Sequence, residues 1–183
     1  MSRPAWICLD PPALPPAVFD GLMRESCAQR QVAWACVRAG DDGPARQRNH
    51  RAELGPRARA ALRLPIITRA LDEVAGGPVA LSPEASCYTY YDEPGDFLAL
   101  HRDRPQACAL TVLVYLSARG SAGAGRYLLV HGEEGVSSLA ARAEPNRVLV
   151  MRGAELLHER PPIAAGEAVS LLSACYRFGG STP

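Results

Sequence analysis

Tyr91-Asp92-Glu93-Pro94-Gly95-Asp96-Phe97-Leu98-Ala99-Leu100-His101-Arg102-Asp103 is the stretch on which the fold turns. Pro94-Gly95 marks a turn, and the run after it ends in a histidine and an aspartate two residues apart. In an extended strand, residues i and i+2 point to the same face, so an imidazole and a carboxylate converge on one point. A histidine from a distant strand would complete a 2-His-1-carboxylate set, which leaves positions open on a bound metal. His158 is placed for that role, because it follows the apolar run 147–151 and precedes another strand-like run. It is either the third ligand or a strand-end residue with its ring nitrogens satisfied by neighbours.

Working outward, runs rich in Val, Leu, Tyr and Cys cover 85–91, 96–103, 107–116, 125–130, 147–152 and 167–178. Their connections carry Gly and Pro at 94–95, 120–125, 132–135 and 161–166. That spacing predicts an antiparallel barrel or sandwich. Before residue 80 the pattern differs. A helix is expected over 16–30, with proline at its start and Val18, Leu22 and Met23 on one face. A short strand follows at 32–37. Helical spacing then runs over 43–77, cut by Gly55-Pro56 and Pro65 into two or three short helices. The chain therefore reads as one α+β, mainly β domain over 1–183, with 1–80 as helical support and 81–178 as the strand-rich core.

Composition narrows the function classes. The 183 residues are 48% hydrophobic and 21% charged, which excludes a disordered tail, a collagen-like repeat and a coiled coil. A net charge of +1 gives no reason to expect a polyanionic partner. All 20 basic residues are arginine, which excludes Schiff-base chemistry and a phosphate-binding loop lysine. The six cysteines form no C-x-x-C pair, and the expectation is buried, reduced thiols in a cytoplasmic protein. Prolines break the N-terminal run, which lacks the apolar core of a signal peptide. The apolar run 107–116 falls well short of the ~20 residues of a membrane helix, so no membrane association is expected. No G-x-S-x-G element points to a serine hydrolase. Arg46, Arg48, Arg51, Arg57, Arg59, Arg63 and Arg69 form a basic segment. Without interleaved aromatics it reads as the solvated face of a supporting helix rather than a nucleic-acid surface.

The quoted stretch does not stand alone. Together with Leu110-Thr-Val-Leu-Val-Tyr-Leu-Ser117, the run 146–151 leading to His158-Glu159, and the closing run 166–178, it resembles the core of the Fe(II)/2-oxoglutarate-dependent dioxygenases, particularly the prolyl-4-hydroxylase-type branch. About half of the chain is covered, in the family's order. The resemblance implies a double-stranded β-helix (jelly-roll) core with N-terminal buttressing helices. It implies His101, Asp103 and His158 as iron ligands, with 2-oxoglutarate and dioxygen as cosubstrates. It also implies hydroxylation of a small molecule, amino acid or peptide. An aspartate at position 103 argues against a halogenase, in which that ligand position is left for the halide.

One family feature is missing. The distal carboxylate of 2-oxoglutarate is usually held by an arginine or lysine in Gly-x-Arg-x-Ser after the second histidine. Here the segment reads Gly166-Glu167-Ala168-Val169-Ser170, so Ser170 matches and Ala168 stands where the cation belongs. A carboxylate in a closed pocket needs a cationic or multiply donating partner. Three readings follow. Another arginine takes the role: Arg160, which shares strand parity with His158, or Arg126, beside the glycine-rich 120–125 loop, ahead of Arg177, late on the last strand. Alternatively, the protein binds iron with another cosubstrate, or the core is a non-catalytic binding module. Tyr88 and Tyr90 share a parity and either offer hydroxyls to the cosubstrate or fill the core. Tyr115 and Thr111 carry the same ambiguity, and His131 and His50 read as peripheral. No motif reports the oligomeric state.

Overall fold

The computed structural model describes residues 3–38, 46–120, 123–132 and 137–179; the turn residues expected at 121–122 and 133–135 lie outside them. Among these described residues, eight strands build the core: β4 (Val79–Tyr91), β5 (Phe97–His101), β6 (Leu110–Arg119), β7 (Tyr127–His131), β8 (Ser137–Arg142), β9 (Val148–Met151), β10 (Leu157–Arg160) and β11 (Ala168–Phe178). They lie in the orders β9-β6-β11-β4 and β5-β10-β7-β8, and their pairings are antiparallel. The chain crosses between the two groups at nearly every connection, which is the double-stranded β-helix implied by the resemblance. Three further strands come from the N-terminal part. β1 (Trp6–Leu9) extends the first sheet at β9, and β2 (Trp34–Arg38) pairs with β3 (Gln47–Ala52). β3 in turn pairs with both β4 and β5, joining the two sheets along one side.

β3 corrects the expectation of helix across 43–77. Its alternation is written in polar residues, with Gln47 and Asn49 buried between the less buried Arg48 and His50, so an apolar-period search passes over it. The basic segment accordingly does not form one helical face. Arg48 points outward to Asp96 at 3.0 Å, while Arg51 lies on the opposite face of β3. β8 and the four-residue β10 were also absent from the sequence-based strand set.

Three helices cover the outer face of the β9-β6-β11-β4 sheet: α1 (Pro16–Arg30), α2 (Pro56–Ala61) and α3 (Pro65–Ala75). Each begins with proline in its first turn, where the missing N–H costs nothing. Gly76, at φ 72°, ends α3 in the left-handed conformation that glycine tolerates. Leu22, Leu62, Ile67, Leu71 and Val74 pack against Tyr88, Tyr90, Val112, Val114 and Leu172 in this outer layer. A second apolar layer fills the space between the sheets, with Tyr91, Leu113, Tyr115, Val130, Leu149, Met151, Val169 and Leu171. Strand alternation lets β4, β6 and β11 serve both layers at once.

The cysteine expectation is corrected in part. Cys108 and Cys175 form a disulfide with Cα atoms 4.7 Å apart, whereas Cys8, Cys27, Cys36 and Cys87 are free thiols. The two bonded residues are 67 positions apart and meet only because β11 lies beside β6, so their spacing in sequence carries no sign of the pairing. Among the described residues, no helix is long and apolar enough to cross a membrane.

Glu25 ties the helical layer to the core. Its carboxylate accepts the N–H groups of Arg57 and Ala58 at 2.8 and 2.9 Å, at the start of α2, and the Tyr88 hydroxyl at 2.7 Å. α2 has no capping side chain of its own, and at Gly55 any side chain would overlap the Glu25 carboxylate. Glu25→Ala removes the cap and leaves a buried phenol unpaired. It should lower stability by about 2 kcal/mol, read as a lower urea midpoint with an unchanged slope.

Candidate active site

β5 and β10 run antiparallel with His101 directly opposite His158, so both rings stand on the same face of the sheet. The ring centroids are 4.2 Å apart. The chain bends just after β5, where the Asp103 N–H donates to the Gly153 carbonyl at 2.9 Å, and this turns the carboxylate back toward both rings. Asp103 Oδ1 lies 3.3 Å from His101 Nε2 and 3.9 Å from His158 Nε2. The sequence-predicted trio thus forms one cluster, with ligand atoms all within 4.8 Å of one another.

Each ligand is oriented by a second contact. His101 Nδ1 donates to the Ala99 carbonyl at 2.9 Å and His158 Nδ1 to the Leu156 carbonyl at 3.0 Å. Carbonyls only accept, so Nδ1 carries the proton and, in the neutral rings, both Nε2 lone pairs face Asp103. The Thr111 hydroxyl donates to Asp103 Oδ2 at 2.5 Å, leaving Oδ1 for the cluster. Burial opposes ionisation of Asp103, but when the imidazoles are protonated a hydrogen bond from His101 and the charge of His158, together with the Thr111 hydroxyl, hold its carboxyl below the usual range. Burial pushes the His158 imidazole down, with Asp103 opposing and His101 adding to the effect. An anionic oxygen and two imidazole lone pairs facing one another form a repulsive arrangement until a cation lies between them. The donor set fits a divalent transition metal with nitrogen and oxygen ligands.

Glycine at 153 is required by this arrangement, since a Cβ there would overlap Asp103 Oδ2 and the Thr111 hydroxyl. Gly153→Ala should lower divalent-cation affinity by at least about tenfold, in the range of lost outer contacts to a ligand. Thr111→Val should lower it less, and both effects are readable by Co(II) titration followed in the visible spectrum.

The remaining sequence-predicted residues separate into two groups. Arg160 shares the inward face of β10 with His158 and is 1% exposed. Its guanidinium donates to the Gly125 carbonyl at 2.9 Å and the Tyr115 hydroxyl at 3.2 Å, and it lies over the rings of Tyr91 and Tyr115 at 5.1 and 5.7 Å. No carboxylate among the described residues pairs with it. Arg126 is also buried, but its guanidinium ties the backbone carbonyls of Gly120 and Ala143 together.

Tyr88, Tyr90 and Ser170 are not brought to the cluster. Tyr88 and Tyr90 face the helices, where their hydroxyls donate to Glu25 and to the Ser26 carbonyl, and burial pushes the Tyr90 phenol up to about 12. Ser170 pairs with Tyr90 in register, so it shares that outer face, and its hydroxyl meets Ser117 at 2.7 Å. Alternation places Ala168 outward with Ser170, and the inward residue at the start of β11 is the apolar Val169. The reading from sequence missed Tyr91, Gly153 and the assignment of Thr111 to Asp103. Tyr91 was signalled by its odd position on a strand whose even tyrosines face the helices.

A second cluster, His50, Asp92 and Asp96, also satisfies metal-ligand spacing. Its carboxylates are already engaged, however. Arg30 grips Asp92 at 2.7 and 3.1 Å, and Asp96 accepts from Arg48 and from the N–H groups of Asp92 and Glu93. It is an ion-pair network bracing the turn before β5. His131 Nε2 meets Glu159 at 3.0 Å, away from the His-Asp-His cluster.

No protein-family model matches the chain, and no curated protein sequence matches it. Solved structures do. A Pseudomonas putida prolyl-4-hydroxylase superposes with a TM-score of 0.71 at 18% identity, covering 96% of this chain and 94% of that one. The 2-oxoglutarate-dependent epimerase SnoN of nogalamycin biosynthesis gives 0.72 at 15% identity, over 96% of this chain and 79% of its own. HygX from Streptomyces hygroscopicus, solved with nickel, 2-oxoglutarate and hygromycin B bound, gives 0.68 at 15% identity, over 97% and 84%. At these identities the likeness is one of fold.

Proposed function

We propose that this chain is a mononuclear non-haem Fe(II), 2-oxoglutarate-dependent oxygenase that hydroxylates a small molecule or peptide, with His101, Asp103 and His158 holding the metal. The observation that carries the cosubstrate half of this reading is Arg160. It is a fully buried cation, two residues beyond His158 on the same strand face, with no anionic partner among the described residues. Burying an unpaired charge is costly, and the distal carboxylate of 2-oxoglutarate supplies the missing counter-charge. The Tyr115 hydroxyl already touches the guanidinium and adds a donor to the same anion.

Iron with 2-oxoglutarate and dioxygen supplies oxidative decarboxylation coupled to oxidation of a substrate C–H bond. The residues of this chain bind and aim. His101, Asp103 and His158 would hold the metal and leave room beside it for cosubstrate and oxygen. Thr111 and the two backbone carbonyls fix which atom of each ligand faces inward. Along β10, two residues correspond to ~7 Å, so a dicarboxylate bound beside His158 would have Arg160 within its length. The apolar layer of Leu113, Leu149, Met151 and Leu171 limits water around the site.

Anaerobic titration with Fe(II) and 2-oxoglutarate, followed by the visible charge-transfer band, tests this reading. His101→Ala and His158→Ala should each abolish stoichiometric iron binding. Arg160→Ala should weaken 2-oxoglutarate by at least about tenfold, as expected for a lost charge-assisted hydrogen bond, while leaving iron stoichiometry intact. Tyr115→Phe, which removes only a hydroxyl, should weaken it less. Wild-type protein that shows no band would remove the cosubstrate, and unchanged affinity in both variants would remove these two residues as its anchor.

A further inference from the structure

The Cys108–Cys175 disulfide stands one side chain away from the metal cluster. Cys108 Sγ lies 3.3 Å from the Thr111 hydroxyl oxygen, and that hydroxyl donates to Asp103 Oδ2 at 2.5 Å. Register explains the meeting. Cys175 lies opposite Thr111 where β11 pairs with β6, so both side chains stand on one face of the sheet. Leu171 and Leu113, of the same parity on these two strands, pack in the layer between the sheets, so this face is the barrel interior.

The state of the bond decides what Thr111 meets. A sulfur in a disulfide carries no proton and accepts hydrogen bonds weakly, so the hydroxyl hydrogen goes to the carboxylate. Breaking the bond leaves a thiol on Cys108. A thiol both donates and accepts, and it engages the Thr111 hydroxyl in competition with Asp103. The backbone around this contact does not depend on the disulfide. The connection from β5 to β6 carries Asp103 near one end and Cys108 near the other. One end is held by the Asp103 N–H on the Gly153 carbonyl, the other by the Ala109 N–H on the Tyr176 carbonyl at 2.8 Å. The change on reduction therefore falls on the side-chain contact. Cys108 is 5% exposed, but Arg104, Pro105 and Gln106 just before it are exposed, and a small dithiol approaches the bond from this turn.

We propose that Cys108 and Cys175 form a redox modification site that sets the metal affinity of the His101-Asp103-His158 cluster. The oxidised pair leaves Thr111 to Asp103, and the reduced pair draws it away. The step is thiol–disulfide exchange with a dithiol. One thiolate of the dithiol attacks a sulfur of the pair, and the other sulfur leaves and takes up a proton. The second thiol of the reagent then closes its own disulfide and releases the first cysteine. Two electrons and two protons pass to the protein. This inference rests on the metal-holding role proposed above and adds a control to that same site.

The test compares the full chain in its two redox states. Treatment with excess dithiothreitol, then removal of the reagent without air, should raise the alkylatable thiols from four to six. Each form is titrated with Co(II) and followed in the visible spectrum. The reduced chain should bind Co(II) about tenfold more weakly, the loss expected when an outer contact to a ligand is disturbed, and reoxidation should restore the affinity. Cys108→Ser should bind alike before and after treatment. In Thr111→Val, which lacks the hydroxyl, the two redox states should differ by less than about threefold. Wild-type affinities within about twofold of each other in the two states overturn the inference and leave the oxygenase reading standing. An undiminished redox effect in Thr111→Val also overturns it, because reduction then acts by loosening the fold. A sulfur-to-cobalt charge-transfer band gained on reduction does the same, since a thiol would then be a ligand. Failure of the oxidised chain to bind Co(II) removes the metal reading and this inference together.

Discussion

The pairing of His101 with His158 across β5 and β10 is the constraint on which the site depends. It is a matter of register. A slip of one residue would send one imidazole to the opposite face of the sheet, and no adjustment of side-chain rotamers could bring it back. The surrounding structure holds that register from several sides. β3 joins β5 to β4, β7 flanks β10, and the Asp96 carboxylate fastens the turn leading into β5. Asp103 then enters the cluster from outside the regular strand, fixed by a backbone bond to Gly153 and by Thr111. The open side of Gly153 is as much a part of the site as the ligands.

The second organising feature is charge inside the barrel. Arg126 and Arg160 are both buried arginines, but their surroundings differ. Arg126 gives its two terminal nitrogens to backbone carbonyls of two loops, which is a structural use, although its Nε has no partner among the described residues. Arg160 donates to one carbonyl and one phenol and rests on two aromatic rings, a setting that tolerates a cation without neutralising it. An arginine remains protonated in such a place, where a buried lysine would shed its proton. The absence of lysine from the chain is therefore compatible with interior anion sites.

How far the site could be read in the sequence follows from these same residues. His-x-Asp at the end of a strand is a local pattern, and His158 stands out at the end of a strand-turn segment, so the three clustered residues were legible. The near-continuous apolar runs gave β6, β9 and most of β4 and β11, because one of their faces meets the helices and the other the barrel. β3 was not legible: its buried face is Gln47 and Asn49, and polar burial leaves no hydrophobic period to detect. The orientation of Tyr88 and Tyr90 was undecidable for a related reason. On a strand buried on both sides, parity groups residues but does not say which group faces which layer. The Cys108–Cys175 bond and the Thr111–Asp103 contact depend on β6 lying beside β11, a pairing between distant segments that no spacing encodes.

Ala168 shows how a departure from a motif is resolved by geometry. In the linear pattern it looks like a lost anchor, yet alternation turns it outward and gives the inward position to Val169. A cation at residue 168 would have pointed at the helical layer. Arg160 approaches the same interior from the other sheet, two positions from a metal ligand, and it carries Tyr115 with it. Under the function proposed above, a cation on β10 in place of one on β11 would meet the same anion from across the barrel without changing the chemistry required.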